Sequence, residues 1–263
     1  MSQGQQHPYH LVNPSPWPLC GALSAFITAF GAVQWWHEGP VWIMELGFAL
    51  IIATMIGWWR DVIREAQIDH AHTDAVRHGL KVGMGLFIAS EVMFFVAFFW
   101  AFFNSGLRVN PSVVQWPPAN IAPMDPWGIP FLNTLILLSS GYCVHWAHHG
   151  LRHGKRGRLT LGLAAGVALG ATFLALQIHE YGQAAFAFRD GVYPSIFYMA
   201  TGFHGFHVFV GVCFLTVCLL RSLRGDFTPR QHVGFEAGAW YWHFVDVVWL
   251  FLFVWVYWWG GLS

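Results

Sequence analysis

The sequence predicts an all-α, polytopic membrane protein with seven transmembrane helices, and three observations carry that reading. Of its 263 residues, 56% are hydrophobic and only 10% are charged, against about 25% charged in an ordinary globular protein. So few solvated groups cannot cover a water-facing surface, so the exterior must face lipid. Seven runs are long and apolar enough to cross a hydrocarbon core about 30 Å thick, which takes about 20 helical residues. The cations, finally, gather on alternate connections between those runs.

The spans run from Trp17 to Trp36, Val41 to Trp59, Leu80 to Phe103, Ile129 to Leu151, Leu159 to Ile178, Val192 to Leu220 and Val233 to Trp259. Backbone groups left unpaired in hydrocarbon are too costly for anything but helices or a closed barrel, and runs this long exclude barrel strands. The first span is the shortest apolar run and is entered through Pro14, Pro16 and Pro18. Trp35, Trp36, Trp58, Trp59, Trp258 and Trp259 fall at span ends, where amphipathic rings settle at headgroup depth. The longest connection, Asn104 to Gly128, carries Pro111, Pro117, Pro118, Pro123 and Pro126 with two tryptophans, so it reads as an ordered surface segment. In the fifth span Gly162, Gly166 and Gly170 recur every four residues, a face that admits another helix at close range.

Arg60, Arg64, Arg77 and Lys81 lie between spans two and three, Arg152, Lys155, Arg156 and Arg158 between four and five, and Arg221, Arg224 and Arg230 between six and seven. Only Arg108 and Arg189 fall on the other side, so eleven of the 13 cations share one face. The positive-inside rule makes that face cytoplasmic or its organellar equivalent, with the amino terminus inside and the carboxyl terminus outside. Net charge is zero, with 13 Lys and Arg against 13 Asp and Glu, which gives nucleic acid no electrostatic hold. Cys20, Cys143, Cys213 and Cys218 sit in apolar stretches without a CxxC pair and read as small core residues. Met1 to Cys20 has no cation ahead of an apolar run and no cleavage-like site, so it does not read as a signal peptide.

Three constellations inside the membrane invite chemistry. Glu91 lies near the middle of span three, where a carboxylate costs at least about 2.5 kcal/mol. It must face the bundle interior, either as a functional acid or as a neutral carboxylic acid bonded to Ser, Thr or His on a neighbouring helix. In span seven Glu236, Trp240, His243 and Asp246 are spaced by three and four and share a face; interhelix bonding is the favoured reading, a proton relay the other. The fifteen histidines raise a metal or haem possibility, above all His204 and His207. Neither a CxxCH motif nor a complete ligand triad accompanies them, so no metal site is assigned. Glu180, after His179 at the end of span five, reads as an outer-interface residue. At the end of span two, Trp58 to Glu65 combines rings, cations and acids; it is either a plain helix anchor or, with His72, a phospholipid site in which Arg64 meets phosphate.

Taken together, Asn13 to Pro18, Trp58 to Glu65, Phe87 to Phe103, Trp116-Pro117-Pro118, Trp146 to His149, Thr201 to His207 and Gly234 to Gly260 resemble subunit III of the haem–copper cytochrome c oxidases over nearly the whole chain. The resemblance implies that residues 17–65 form helices I–II and residues 73–263 helices III–VII, two bundles separated by a V-shaped, lipid-filled cleft. It implies a core subunit with no catalytic residue, haem or copper of its own, bound beside the catalytic subunit I and the copper-bearing subunit II. Cytochrome c serves the complex as a whole. The implied tasks are to support proton uptake and to protect the metal centre during turnover. By position, Glu91 matches the family's intramembrane carboxylate, and Trp59, Arg64, Glu65 and His72 match its phospholipid-binding residues. The implied setting is a bacterial cytoplasmic or mitochondrial inner membrane. The related quinol oxidases have a similar subunit, and from residues alone a seven-helix proton transporter using Glu91, Glu236, His243 and Asp246 is the rival reading.

Overall fold

The computed structural model describes residues 14–68, 71–107 and 115–262. Asn13, Arg108 and Pro111, named above, lie outside the described residues. Seven long helices follow in order: α1 (Trp17–Trp36), α2 (Trp42–Gln67), α3 (Asp74–Gly106), α4 (Ile129–Arg152), α5 (Arg156–Gln183), α6 (Val192–Arg224) and α7 (Val233–Leu252). A π-helical segment, Phe253–Trp259, continues α7. Among the described residues there is no strand.

Several helices outrun the apolar stretches that announced them. Helix α2 continues to Gln67, so Arg64 and Glu65 stand on the helix itself, and α3 starts at Asp74, six residues before Leu80. Hydropathy marks only the part immersed in hydrocarbon, whereas the backbone ladder continues into the headgroup layer, where polar side chains are solvated. Six of the seven helices are apolar enough to cross a membrane, and α4 falls short. It carries Asn133, Thr134, Ser139, Ser140 and three histidines, and part of this polarity is turned inward. Ser140 Oγ donates to the Gly166 carbonyl at 2.8 Å, and the indoles of Trp242 and Trp249 donate to Ser140 Oγ and Thr134 Oγ1 at 3.1 and 2.9 Å.

The chain divides into two compact units, residues up to Leu80 and residues from Lys81 on. In the first, α1 and α2 pack as an antiparallel pair. A Cβ at Gly31 would strike the backbone of Ile43 and Met44, and one at Gly47 would strike Thr28, so the two backbones are nearly in contact. Trp17 Nε1 donates to Asp61 Oδ2 at 2.7 Å, fastening the start of α1 to the far part of α2. Most large side chains of the pair, Leu19, Phe26, Ile52 and Ile56 among them, point outward, as lipid permits and water would not.

In the second unit α4 and α5 make the closest pair, because a side chain at Gly162 or Gly166 would meet Ala147 Cβ at 2.8 Å or Val144 Cγ2 at 2.9 Å. Helix α3, by contrast, is held by ring contacts: Phe94 on Phe203 (5.0 Å between centroids), Phe99 on Phe251 (4.2 Å) and Phe103 on Trp255 (5.1 Å). Lipid tails are as apolar as these side chains, so close packing and interhelix hydrogen bonds hold the bundle more than exclusion of water does. Of the four cysteines only Cys218 is buried and Cys213 is exposed. The core reading fails for Cys213 because an apolar surface facing lipid has no need to hide a thiol.

Candidate functional site

Glu91 on α3 meets His207 on α6, with Oε2 2.9 Å from Nε2. Their side chains are 22% and 10% exposed. Phe94 and Phe95 from α3 and Tyr241 and Phe244 from α7 put rings 5.0 to 6.4 Å from the imidazole. The other ring nitrogen, Nδ1, lies 2.6 Å from the carbonyl oxygen of Phe203, one turn earlier. That carbonyl can only accept, so Nδ1 carries the hydrogen and the tautomer is fixed from behind.

One proton therefore belongs between Glu91 and His207. A neutral imidazole protonated at Nδ1 presents a lone pair at Nε2, and the carboxylic acid donates to it; alternatively the imidazolium donates to a carboxylate. Both forms are neutral overall, and with no proton between them two lone pairs would face each other. A neutral pair avoids the cost of a net charge within the bilayer.

The α7 stripe separates into two parts. Glu236 Oε2 pairs with Lys81 Nζ of α3 at 2.7 Å, with 17% and 39% of the side chains exposed. His243 Nδ1 lies 3.1 Å from Asp246 Oδ2 of the same helix, and the buried Asp246 carboxyl is pressed against Gly141 of α4. Within this stripe and among the described residues, the side-chain bond to another helix is that of Glu236. In the first unit Trp59 is 61% exposed and Arg64 is exposed, while Glu65 and His72 are half-buried. The Ala71 amide donates to the Glu65 carbonyl at 3.0 Å, which turns the chain back and returns His72 toward the end of α2.

His207 was legible as a polar residue within an apolar run, the signal that singled out Glu91, but its spacing from His204 drew it toward a metal reading. His204 is fully buried, its ring 5.2 Å from Trp249 and 5.7 Å from Phe173. Among the described residues no group of three or more His, Cys, Asp or Glu is placed to hold a metal ion. Glu180, in the last turn of α5, is fully buried inside the bundle.

Fold and site together define a polytopic helical membrane protein in which a carboxyl–imidazole hydrogen bond joins two of its helices. A family model, cytochrome c oxidase subunit III, matches residues 7–261. The chain is 54% identical to cytochrome c oxidase subunit 3 of Triticum aestivum over 265 residues, covering 100% of both chains. It is 54% identical to that of Marchantia polymorpha, covering 99% of this chain and 100% of the relative, and 53% identical to that of Scyliorhinus canicula, covering 98% and 99%. The chain belongs to the cytochrome c oxidase subunit III family.

Proposed function

We propose that the chain is a non-redox core subunit of a proton-pumping respiratory cytochrome c oxidase, which as a complex reduces oxygen to water. The observation that carries this reading is the full-length match to subunit 3 of cytochrome c oxidases, in plants and animals alike. Haem and copper belong to its partners, the catalytic subunit I and the copper-bearing subunit II, and this chain supplies no catalytic residue. Its helices cross a bacterial cytoplasmic or mitochondrial inner membrane seven times, amino terminus inside. The inward-facing polarity of α4 is why that helix can cross despite its composition. The relatives' names favour cytochrome c over a quinol as the electron source of the complex.

Within the complex the chain supports proton uptake and protects the catalytic subunit during turnover. The Glu91–His207 pair serves this by joining α3 to α6 without introducing charge. Trp59, Arg64, Glu65 and His72 hold phospholipid: Arg64 and His72 supply donors for phosphate oxygens, and Trp59 lies beside the lipid at the end of the apolar run. A tag on this chain tests the assignment. Mild-detergent purification should bring down haem- and copper-bearing chains in equal amount. Recovery of the tagged chain alone, still conducting protons in vesicles, would favour the transporter reading.

A further inference from the structure

At the end of the second unit where α4 and α6 begin and α5 and α7 finish, polar side chains are buried without enough partners. The Glu180 carboxyl is 0% exposed, and neither oxygen has a hydrogen bond from a protein group. The Gln177 carbonyl oxygen, one turn earlier on α5, and both polar atoms of Asn133, in the second turn of α4, are in the same condition. Gly166 pairs with Ser140, and antiparallel helices keep a nearly constant sum of residue numbers across their contact, so Asn133 falls level with Phe173, one turn deeper than Gln177 and two turns deeper than Glu180. Gln177 Nε2 donates to the Tyr257 hydroxyl at 3.3 Å, which leaves that hydroxyl's own hydrogen to point elsewhere. Glu180 lies beside it, in electrostatic contact with the hydroxyl. Tyr257 stands in the π-helical segment after α7, a widened turn of the kind that often accompanies functional sites.

Two requirements follow. A carboxylate with no cation beside it inside hydrocarbon costs several kcal/mol and neutralises instead, and among the described residues no ion pair involves Glu180. Buried amide and carboxyl atoms without protein partners are commonly served by internal water, which makes about three hydrogen bonds to such groups. Tyr257 offers a donor, and Gln177 and Glu180 offer acceptors, so water has both kinds of partner here. The end of the unit next to this cluster is also polar: Tyr181, beside Glu180, shares a hydrogen bond of 2.7 Å with Thr201 of α6.

We propose that Glu180, Gln177 and Tyr257 form a second intramembrane proton-binding site, in which Glu180 is a neutral carboxylic acid bridged by bound water to the other two. It is separate from the Glu91–His207 pair, which already has its proton and its partner. Infrared difference spectra of the purified oxidase complex test it. Glu180→Gln should remove one band from the carbonyl-stretch region of protonated carboxylic acids, and in the parent complex that band should shift in D2O. Tyr257→Phe should move the same band without abolishing it, and it serves if the Gln variant does not assemble. A carboxyl region unchanged in both variants would overturn the proposal. A band that never exchanges would overturn it as well, since the acid would be dry. So would the absence of the band together with a thermal stability that depends on sodium, the mark of a carboxylate holding a small cation.

Discussion

Breaking the Glu91–His207 contact should destabilise the subunit far more than exchanging its chemistry. In Glu91→Gln the amide N–H donates to Nε2 where the carboxylic acid did, and the 2.9 Å geometry is retained at a cost below about 1 kcal/mol. Glu91→Ala removes the donor, leaves the imidazole facing no partner and opens a space between α3 and α6. An orphaned buried polar atom costs about 1–3 kcal/mol, and the partly exposed position keeps the cavity contribution small, so about 2–4 kcal/mol is expected in all. His207→Ala should cost a similar amount, because it strands the acid. The two losses share one bond, so the double variant should fall short of their sum by about 1–2 kcal/mol, above the average of about 0.6 for membrane hydrogen bonds, because one proton and a fixed tautomer are involved. The assay is the thermal midpoint for release of this subunit from the purified complex, in all four members of the cycle. Additivity within about 0.3–0.5 kcal/mol would refute the claim that the residues act as one proton-sharing unit.

Further outcomes can be checked on the same preparations. Glu91→Gln should keep most electron transfer and much of the proton pumping; complete loss of pumping with assembly and lipid intact would make Glu91 an obligatory carrier. Arg64→Ala with His72→Ala should lower the phospholipid retained through purification and shorten the catalytic lifetime more than it lowers the initial rate, measured by phosphorus analysis and progress curves. Lys81→Met should cost no more than about 1 kcal/mol, and less in high salt, since the Lys81 side chain is 39% exposed. Gly166→Leu should be the most damaging of these: its side chain would drive into Val144, 2.9 Å from where a Cβ would stand. Such overpacking costs about 1–3 kcal/mol or more and should appear as loss of the subunit from the complex.

The helices were legible because a membrane imposes one rule, a long apolar run, and the bounds of α1 agree with the sequence reading residue for residue. Helix α4 marks the limit of that rule. Its Asn133 and Ser140 face other helices, and hydropathy averages a residue without knowing which way it points. Glu91 was legible for the converse reason, since a charge in hydrocarbon must be accounted for wherever it points. Its partner was not, because proximity between residues 116 positions apart is a property of packing. The burial of Glu180 was not legible, because residue type at the end of an apolar run does not say which way the side chain points. The resemblance motifs supplied the family, while Trp59, Arg64, Glu65 and His72 could not be told from an ordinary helix anchor by residue type alone.

If the chain sustains an oxidase whose redox centres lie elsewhere, the turnovers that the purified complex completes before it inactivates, counted with and without this subunit at equal haem and copper content, test that role most directly. Removal should leave the metals with the remaining subunits and the starting rate largely intact, while the number of turnovers completed falls sharply. Stoichiometric haem or copper leaving with this chain, or an unchanged turnover count after its removal, would contradict it.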